Sequence, residues 1–170
     1  MHRPYDTTPL AGEPRPSARP AFALDAPAID HVGITVPDAR SAAAFFEELI
    51  GTRIVLEMRP GEVGQPWKDR FAWQGSSELT CILMLATREG ARIELFEFSA
   101  PDADKRLPSQ DDAGGMHIAF RAYDINRCMM LLQAHGLRIV NEPLSMPDGT
   151  KWFYFVSPWG ALLELVFPEG

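Results

Sequence analysis

Apolar and polar residues alternate with two distinct periods along this chain, and the periods succeed one another in the same order twice. From Ile29 to Val36, Val32, Ile34 and Val36 share one side while His31, Gly33 and Thr35 share the other, the period of a strand. Asp38 then follows Pro37 as a helix N-cap. Phe45, Phe46, Leu49 and Ile50 fall on one helical face, and Gly51 suits a left-handed terminator. Further strands are predicted at about 52–58, 79–86 and 91–98. Residues 60–77, polar and rich in Gly, Pro and Trp, are too long for a simple hairpin and predict a lid or pocket loop. After a charged, glycine-containing linker the order restarts. His117 to Ala122 reads as a strand and Asp124 as an N-cap. Ile125, Cys128, Met129 and Leu132 form a helical stripe that ends at Gly136. Strands are predicted at 137–142, 151–156 and 161–167.

The two halves match residue by residue. HVGITVPDARSAAAFFEELIGTRIV from His31 lies over HIAFRAYDINRCMMLLQAHGLRIV from His117 with one gap, and IELF at 93–96 lies over LELV at 163–166. The histidines are 86 positions apart and the glutamates 70, so the second copy is 16 residues shorter, which the 60–77 segment accounts for. Each half reads strand, helix, three strands. The organisation is therefore a Pro-rich N-terminal arm over 1–26, a first βαβββ module over 27–100, a linker over 101–114 and a second module over 115–170. Pro4, Pro9, Pro14, Pro16 and Pro20 keep the arm from forming a helix. One helix cannot cover both faces of four strands, so each module keeps an open face that is covered by something else or left as a cleft.

Composition adds exclusions. Hydrophobic content of 46% and charged content of 23% are those of a globular chain, and 170 residues bury a sufficient core without disulfides. A net charge of −7 argues against a nucleic-acid or acidic-membrane partner, either of which needs a basic face. No apolar run is long enough for a membrane span, and the N-terminus has no signal-peptide pattern. Cys81 and Cys128 lie in apolar runs without metal-type spacing, which predicts buried, reduced thiols in a cytoplasmic protein.

Four residues at matched positions carry the candidate chemistry: His31 with His117, and Glu94 with Glu164. Each glutamate sits mid-strand among residues that favour burial. Removing a lone carboxylate from water costs several kcal/mol, so it needs a proton, a partner or a cation. Strand alternation places Ile93, Leu95, Leu163 and Leu165 against the helices and sends all four candidates to the open face. Any one of them alone suits a hydrogen-bonded core histidine or a salt-bridged acid. Four at matched repeat positions suit a divalent transition metal with positions open for water or substrate. His2, in the arm, and His135, closing the second helix near its negative end, are not expected ligands. Arg121, four residues past His117 on the same face, is a candidate for binding an anionic or oxygen-rich substrate group. Trp67, Trp73 and Tyr154 read as packing groups that would alternatively wall the site.

With these motifs in hand, the chain resembles the vicinal oxygen chelate superfamily, which includes glyoxalase I, methylmalonyl-CoA epimerase, extradiol dioxygenases and bleomycin-type resistance proteins. The matching stretches are DHVGITVPD at 30–38, IELFEF at 93–98, GMHIAFRAYDI at 115–125 and SPWGALLELVF at 157–167, and the resemblance covers 28–168. It implies an α+β fold in which tandem βαβββ modules form one cupped mixed β-sheet with helices outside, usually in a homodimer. It also implies one divalent transition metal, whether nickel, cobalt, manganese, zinc or iron, held by His31, Glu94, His117 and Glu164.

Departures from the family's patterns narrow the chemistry. Resistance proteins generally lack the ligands that are all present here. Extradiol dioxygenases use two His and one Glu, leaving the position of Glu94 without a ligand. Glyoxalase I carries glutathione-binding Arg and Asn where this chain has Thr35 and Phe98. HVGITVPD is closest to the epimerases, and IELFEF with SPWG resembles members acting on ketone-bearing sugars or cyclitols. The expectation is a metal-dependent isomerase or lyase that moves a proton beside a carbonyl of a small molecule, with Glu94 and Glu164 as catalytic carboxylates. An iron(II) ring-cleaving dioxygenase and a non-catalytic binding or resistance protein are the alternatives.

Overall fold

The computed structural model describes residues 28–59, 65–71, 73, 75–102 and 106–169. The expected arm over 1–26, part of the 60–77 segment and the middle of the linker lie outside the described residues. The chain divides into two compact units, Met1–Ala103 and Asp104–Gly170. Both follow the α+β, βαβββ order expected from the repeat, the first with an additional short helix before its third strand.

In the first unit the elements are β1 (Val32–Thr35), α1 (Ala39–Ile50), β2 (Arg53–Met58), α2 (Gln65–Phe71), β3 (Glu78–Ala86) and β4 (Arg92–Ser99). They build a four-stranded mixed sheet in the order β1-β4-β3-β2. Strands β1 and β4 are parallel, with Val32 opposite Ile93 and Gly33 opposite Glu94; the other pairs are antiparallel. The chain must cross the sheet to pair β1 with β4 in parallel, and α1 is part of that crossover.

Helix α1 begins where Asp38 Oδ1 accepts from the Ser41 N–H at 2.7 Å and ends at Gly51 with φ 68°. A second free N–H of its first turn, that of Ala39, donates at 2.8 Å to Glu97 Oε2 on β4, and Thr80 Oγ1 donates to Glu97 Oε1 at 2.9 Å. The buried seam of α1 is Ala39, Ala42, Ala43 and Phe46, one helical face at i, i+3, i+4 and i+7. This corrects the expected stripe of Phe45, Phe46, Leu49 and Ile50, of which only Phe46 is fully buried. Three alanines allow the helix backbone to lie close to the sheet, against Leu83, Leu85, Ile93 and Leu95.

The 60–77 segment is not a loop throughout. It contains α2, where Trp67 and Phe71, four residues apart, meet edge to face at 5.5 Å between ring centres. Lys68 of the same helix pairs with Glu78 at the start of β3.

The second unit contains β5 (Ile118–Arg121), α3 (Ile125–Ala134), β6 (Leu144–Ser145), β7 (Lys151–Val156) and β8 (Leu162–Phe167). Its sheet order, β5-β8-β7-β6, repeats that of the first unit, with β5 and β8 parallel. Asp124 caps α3 by accepting from the Arg127 N–H at 2.9 Å. Leu132 is the buried residue of the expected stripe, while Ile125, Cys128 and Met129 are half-buried. Phe153, Phe155, Leu163, Leu165 and Phe167 form the core.

The strand expected at 137–142 is the clearest departure. Only a single bridge, Ile139 opposite Phe155, forms there, and the paired strand is the two-residue β6. The cause is local. Asn141 accepts the Tyr154 N–H with its side-chain Oδ1 at 2.9 Å, in place of a backbone carbonyl, and Pro143 has no N–H to offer.

Candidate functional site

Each unit places one histidine immediately before its first strand and one glutamate in the middle of its last. In the first unit, alternation along β4 buries Ile93 and Leu95 toward α1 and turns Glu94 to the opposite face. His31 Nε2 lies 3.2 Å from Glu94 Oε2. In the second unit, Leu163 and Leu165 are buried, Glu164 turns away from them, and His117 Nε2 lies 3.0 Å from Glu164 Oε2. The sequence expectation that each histidine shares a face with its glutamate therefore holds within each unit, with the histidines one residue outside β1 and β5.

The surroundings suit ligand binding. The glutamate side chains are 18% and 13% exposed and the histidines 36% and 31%, so each pair is partly withdrawn from water yet reachable. Small residues stand opposite the carboxylates in the parallel ladders: Gly33 opposite Glu94 and Ala119 opposite Glu164. A Cβ at Gly33 would come within 3.3 Å of the Phe96 ring and 3.7 Å of Glu94 Oε2, so glycine keeps the space beside that carboxylate open.

The donor chemistry fits a divalent transition metal. Ligands about 2.1 Å from a cation and at right angles to one another stand about 3.0 Å apart. The Nε2–Oε2 separations of 3.2 and 3.0 Å are of that size. Imidazole with carboxylate is a donor set suited to manganese, iron, cobalt, nickel or zinc. Each unit supplies one such pair; among the described residues there is no group of three or more His, Cys, Asp or Glu arranged to hold a metal ion.

Asp30 is a site residue that the sequence analysis did not single out. Its Oδ1 lies 2.8 Å from His31 Nδ1, the ring nitrogen that does not face Glu94. Arg92 Nη1 in turn reaches the Asp30 carboxylate at 3.3 and 3.4 Å. The hydrogen bond that His31 Nδ1–H gives to the Asp30 carboxylate holds the imidazole above the ordinary histidine range, with the Glu94 charge adding to it. His31 and then Arg92 hold Asp30 below the usual carboxylate range.

Tyr154 lies directly opposite Glu164 across β7 and β8, and its ring meets that of His117 edge-on at 5.1 Å. Gln110 Nε2 donates to its hydroxyl oxygen at 2.8 Å, leaving the O–H free to donate. Tyr154 is thus part of the second unit's candidate site rather than a packing group alone. Trp67 and Trp73 belong to an aromatic group with Phe71, Phe96 and Phe98. Trp73 meets Phe98 at 4.9 Å and Phe98 stacks with Phe96 at 6.2 Å. Phe96 shares the Glu94 face, so this group forms an apolar wall beside the first pair. Arg121 ends β5 opposite Val166, exposed and two residues from Ala119. His135 closes α3 through its backbone N–H to Leu131.

Comparisons with known proteins bear on the family and the fold. A family model described as the Glyoxalase/Bleomycin resistance protein/Dioxygenase superfamily matches residues 28–165. A 2-epi-5-epi-valiolone epimerase from Actinomyces sp is 35% identical over 149 residues, covering 84% of this chain and 81% of its own length. The structure of a glyoxalase family protein from Bacillus cereus matches with a TM-score of 0.71 at 29% identity, covering 90% of this chain and all of that one. A fosfomycin resistance protein, FosX, from Listeria monocytogenes, solved with Mn(II) and sulfate ion, shares the fold at a TM-score of 0.56 and 14% identity. That match covers 85% of this chain and 94% of the other.

Proposed function

Because this chain belongs to the glyoxalase/bleomycin resistance protein/dioxygenase superfamily, we propose that it is a metal-dependent epimerase acting on a small hydroxy-ketone of the valiolone type. The observation that carries the reading is the duplicated His–Glu pair, His31 with Glu94 and His117 with Glu164, on a chain 35% identical to an epimerase. In this reading His31, Glu94, His117 and Glu164 are the metal ligands, each pair offering a divalent cation one imidazole nitrogen and one carboxylate oxygen. A cation bound there would supply Lewis acidity toward the substrate carbonyl and so make the neighbouring C–H acidic. FosX from Listeria, with its Mn(II), supports a metal on this fold.

The chain's own residues then perform the proton transfer. A glutamate, Glu164 or Glu94, takes the proton from the carbon beside the carbonyl, and a proton returned to the opposite face of that carbon inverts the centre. Tyr154 offers its hydroxyl proton beside Glu164 and His117, suited to a substrate oxygen. In the second unit Arg121 is suited to bind further hydroxyl or anionic groups, and in the first unit the Phe96–Phe98–Trp73 wall is suited to receive an apolar face. The carboxylate in both pairs favours this reading over ring-cleaving dioxygenation, whose two-His, one-Glu set leaves the position of Glu94 without a ligand.

The test is solvent exchange. Incubated with 2-epi-5-epi-valiolone in deuterium oxide, the wild-type protein should incorporate deuterium at the carbon beside the carbonyl. Glu164→Gln should lower that rate by about 100-fold or more with an unchanged circular dichroism spectrum. Exchange at the wild-type rate in the variant would overturn the assignment of Glu164.

A further inference from the structure

The two His–Glu pairs are not equivalent, and the difference lies on the far side of the imidazole. His31 is gripped from both ring nitrogens, Nε2 by Glu94 at 3.2 Å and Nδ1 by Asp30 at 2.8 Å. Asp30 is itself braced by Arg92, the first residue of β4 and two positions before Glu94. The run Arg92–Asp30–His31–Glu94 thus ties the start of β4 to the residues just ahead of β1, the strand it pairs with. In the second unit the matching positions hold Met116 before His117 and Leu162 before Glu164, which offer neither a carboxylate nor a cation.

Of the two carboxylates on this ring Asp30 is the nearer, at 2.8 Å against 3.2 Å for Glu94, and the nearer carboxylate fixes the ring's rotation, keeps the proton on Nδ1 and makes Nε2 a better donor. We propose that Asp30, braced by Arg92, is a positioning residue that locks His31 in the Nδ1–H tautomer with Nε2 presented beside Glu94, making His31 the stronger metal donor of the two histidines. The donor half of this proposal rests on the metal reading above; the tautomer half does not.

The experiment compares the wild-type protein with Asp30→Ala and Asp30→Asn by two measurements. Long-range proton–nitrogen spectra of metal-free protein at pH 9 report the His31 tautomer, and calorimetric titration with zinc(II) reports affinity. The wild type should show His31 predominantly as Nδ1–H. Asp30→Ala should shift it toward Nε2–H, the form an unconstrained imidazole favours, and weaken zinc binding about tenfold or more. Asp30→Asn, which keeps an acceptor oxygen, should restore the tautomer and most of the affinity. An unchanged His31 tautomer in Asp30→Ala overturns the proposal, as does a shifted tautomer with undiminished zinc affinity. A wild-type protein that takes up no zinc while the tautomer difference persists overturns the metal reading and supports the positioning of the ring.

Discussion

Thr52 carries a buried hydroxyl that has no hydrogen-bond partner among the described residues, in a position only 3% exposed. An unsatisfied buried hydroxyl costs about 1–3 kcal/mol, and valine has nearly the same shape without the polar atom. Thr52→Val should therefore raise the unfolding free energy by about 1 kcal/mol in urea denaturation; a loss of stability would show that the hydroxyl has a partner in solution. The thiols behave differently. Cys81 and Cys128 are half-buried, rather than fully buried as expected, and burial pushes both thiols up from their ordinary range. Both should react slowly with a disulfide reagent at neutral pH and at once after denaturation; rapid reaction of the native protein would contradict this. At this scale most of the candidate site was legible in the sequence. His31, His117, Glu94 and Glu164 were legible because the repeat marks them twice. Asp30 was not, because an aspartate with no counterpart in the second copy has no periodic signal, and its role shows only once Arg92 and His31 are folded against it.

The helices owe their placement to caps that single residues supply. Asp38 accepts from the Ser41 N–H, which holds its carboxyl below the usual carboxylate range. A depressed folded-state value means that the cap's stabilisation is present at neutral pH and disappears as pH falls below about 4. Asp38→Ala should accordingly melt below the wild type at pH 7 and approach it at pH 3; an equal gap at both pH values would contradict the cap. Glu97 acts across elements, joining Ala39 of α1, Thr80 of β3 and its own strand β4. Glu97→Ala leaves an N–H and a hydroxyl without their acceptor and should cost about 1–3 kcal/mol; a smaller loss would mean that water replaces the carboxylate. Both helix starts were legible in Asp38 and Asp124. Helix α2 was hidden by the polar residues around it, although the spacing of Trp67 and Phe71 carried its signal. The 137–142 strand failed because Asn141 takes a ladder hydrogen bond with its side chain, which hydrophobic alternation does not register.

For the whole molecule, duplication is the organising fact. Two βαβββ units repeat the same strand order, and each delivers one imidazole nitrogen and one carboxylate oxygen about as far apart as two ligands on one cation. Among the described residues no helix is long and apolar enough to cross a membrane. The fold class was legible from the repeat and from the family resemblance, while the pairing distances needed coordinates. The proposed chemistry requires a metal ion on the His31–Glu94 and His117–Glu164 pairs. Elemental analysis of protein purified without chelators tests that most directly, with His117→Ala and Glu94→Ala prepared alongside. The wild type should carry about one divalent transition metal per chain and both variants far less, with circular dichroism spectra unchanged. Full metal occupancy in the two variants, or none in the wild type after incubation with manganese, cobalt, nickel, zinc and iron(II), would contradict it.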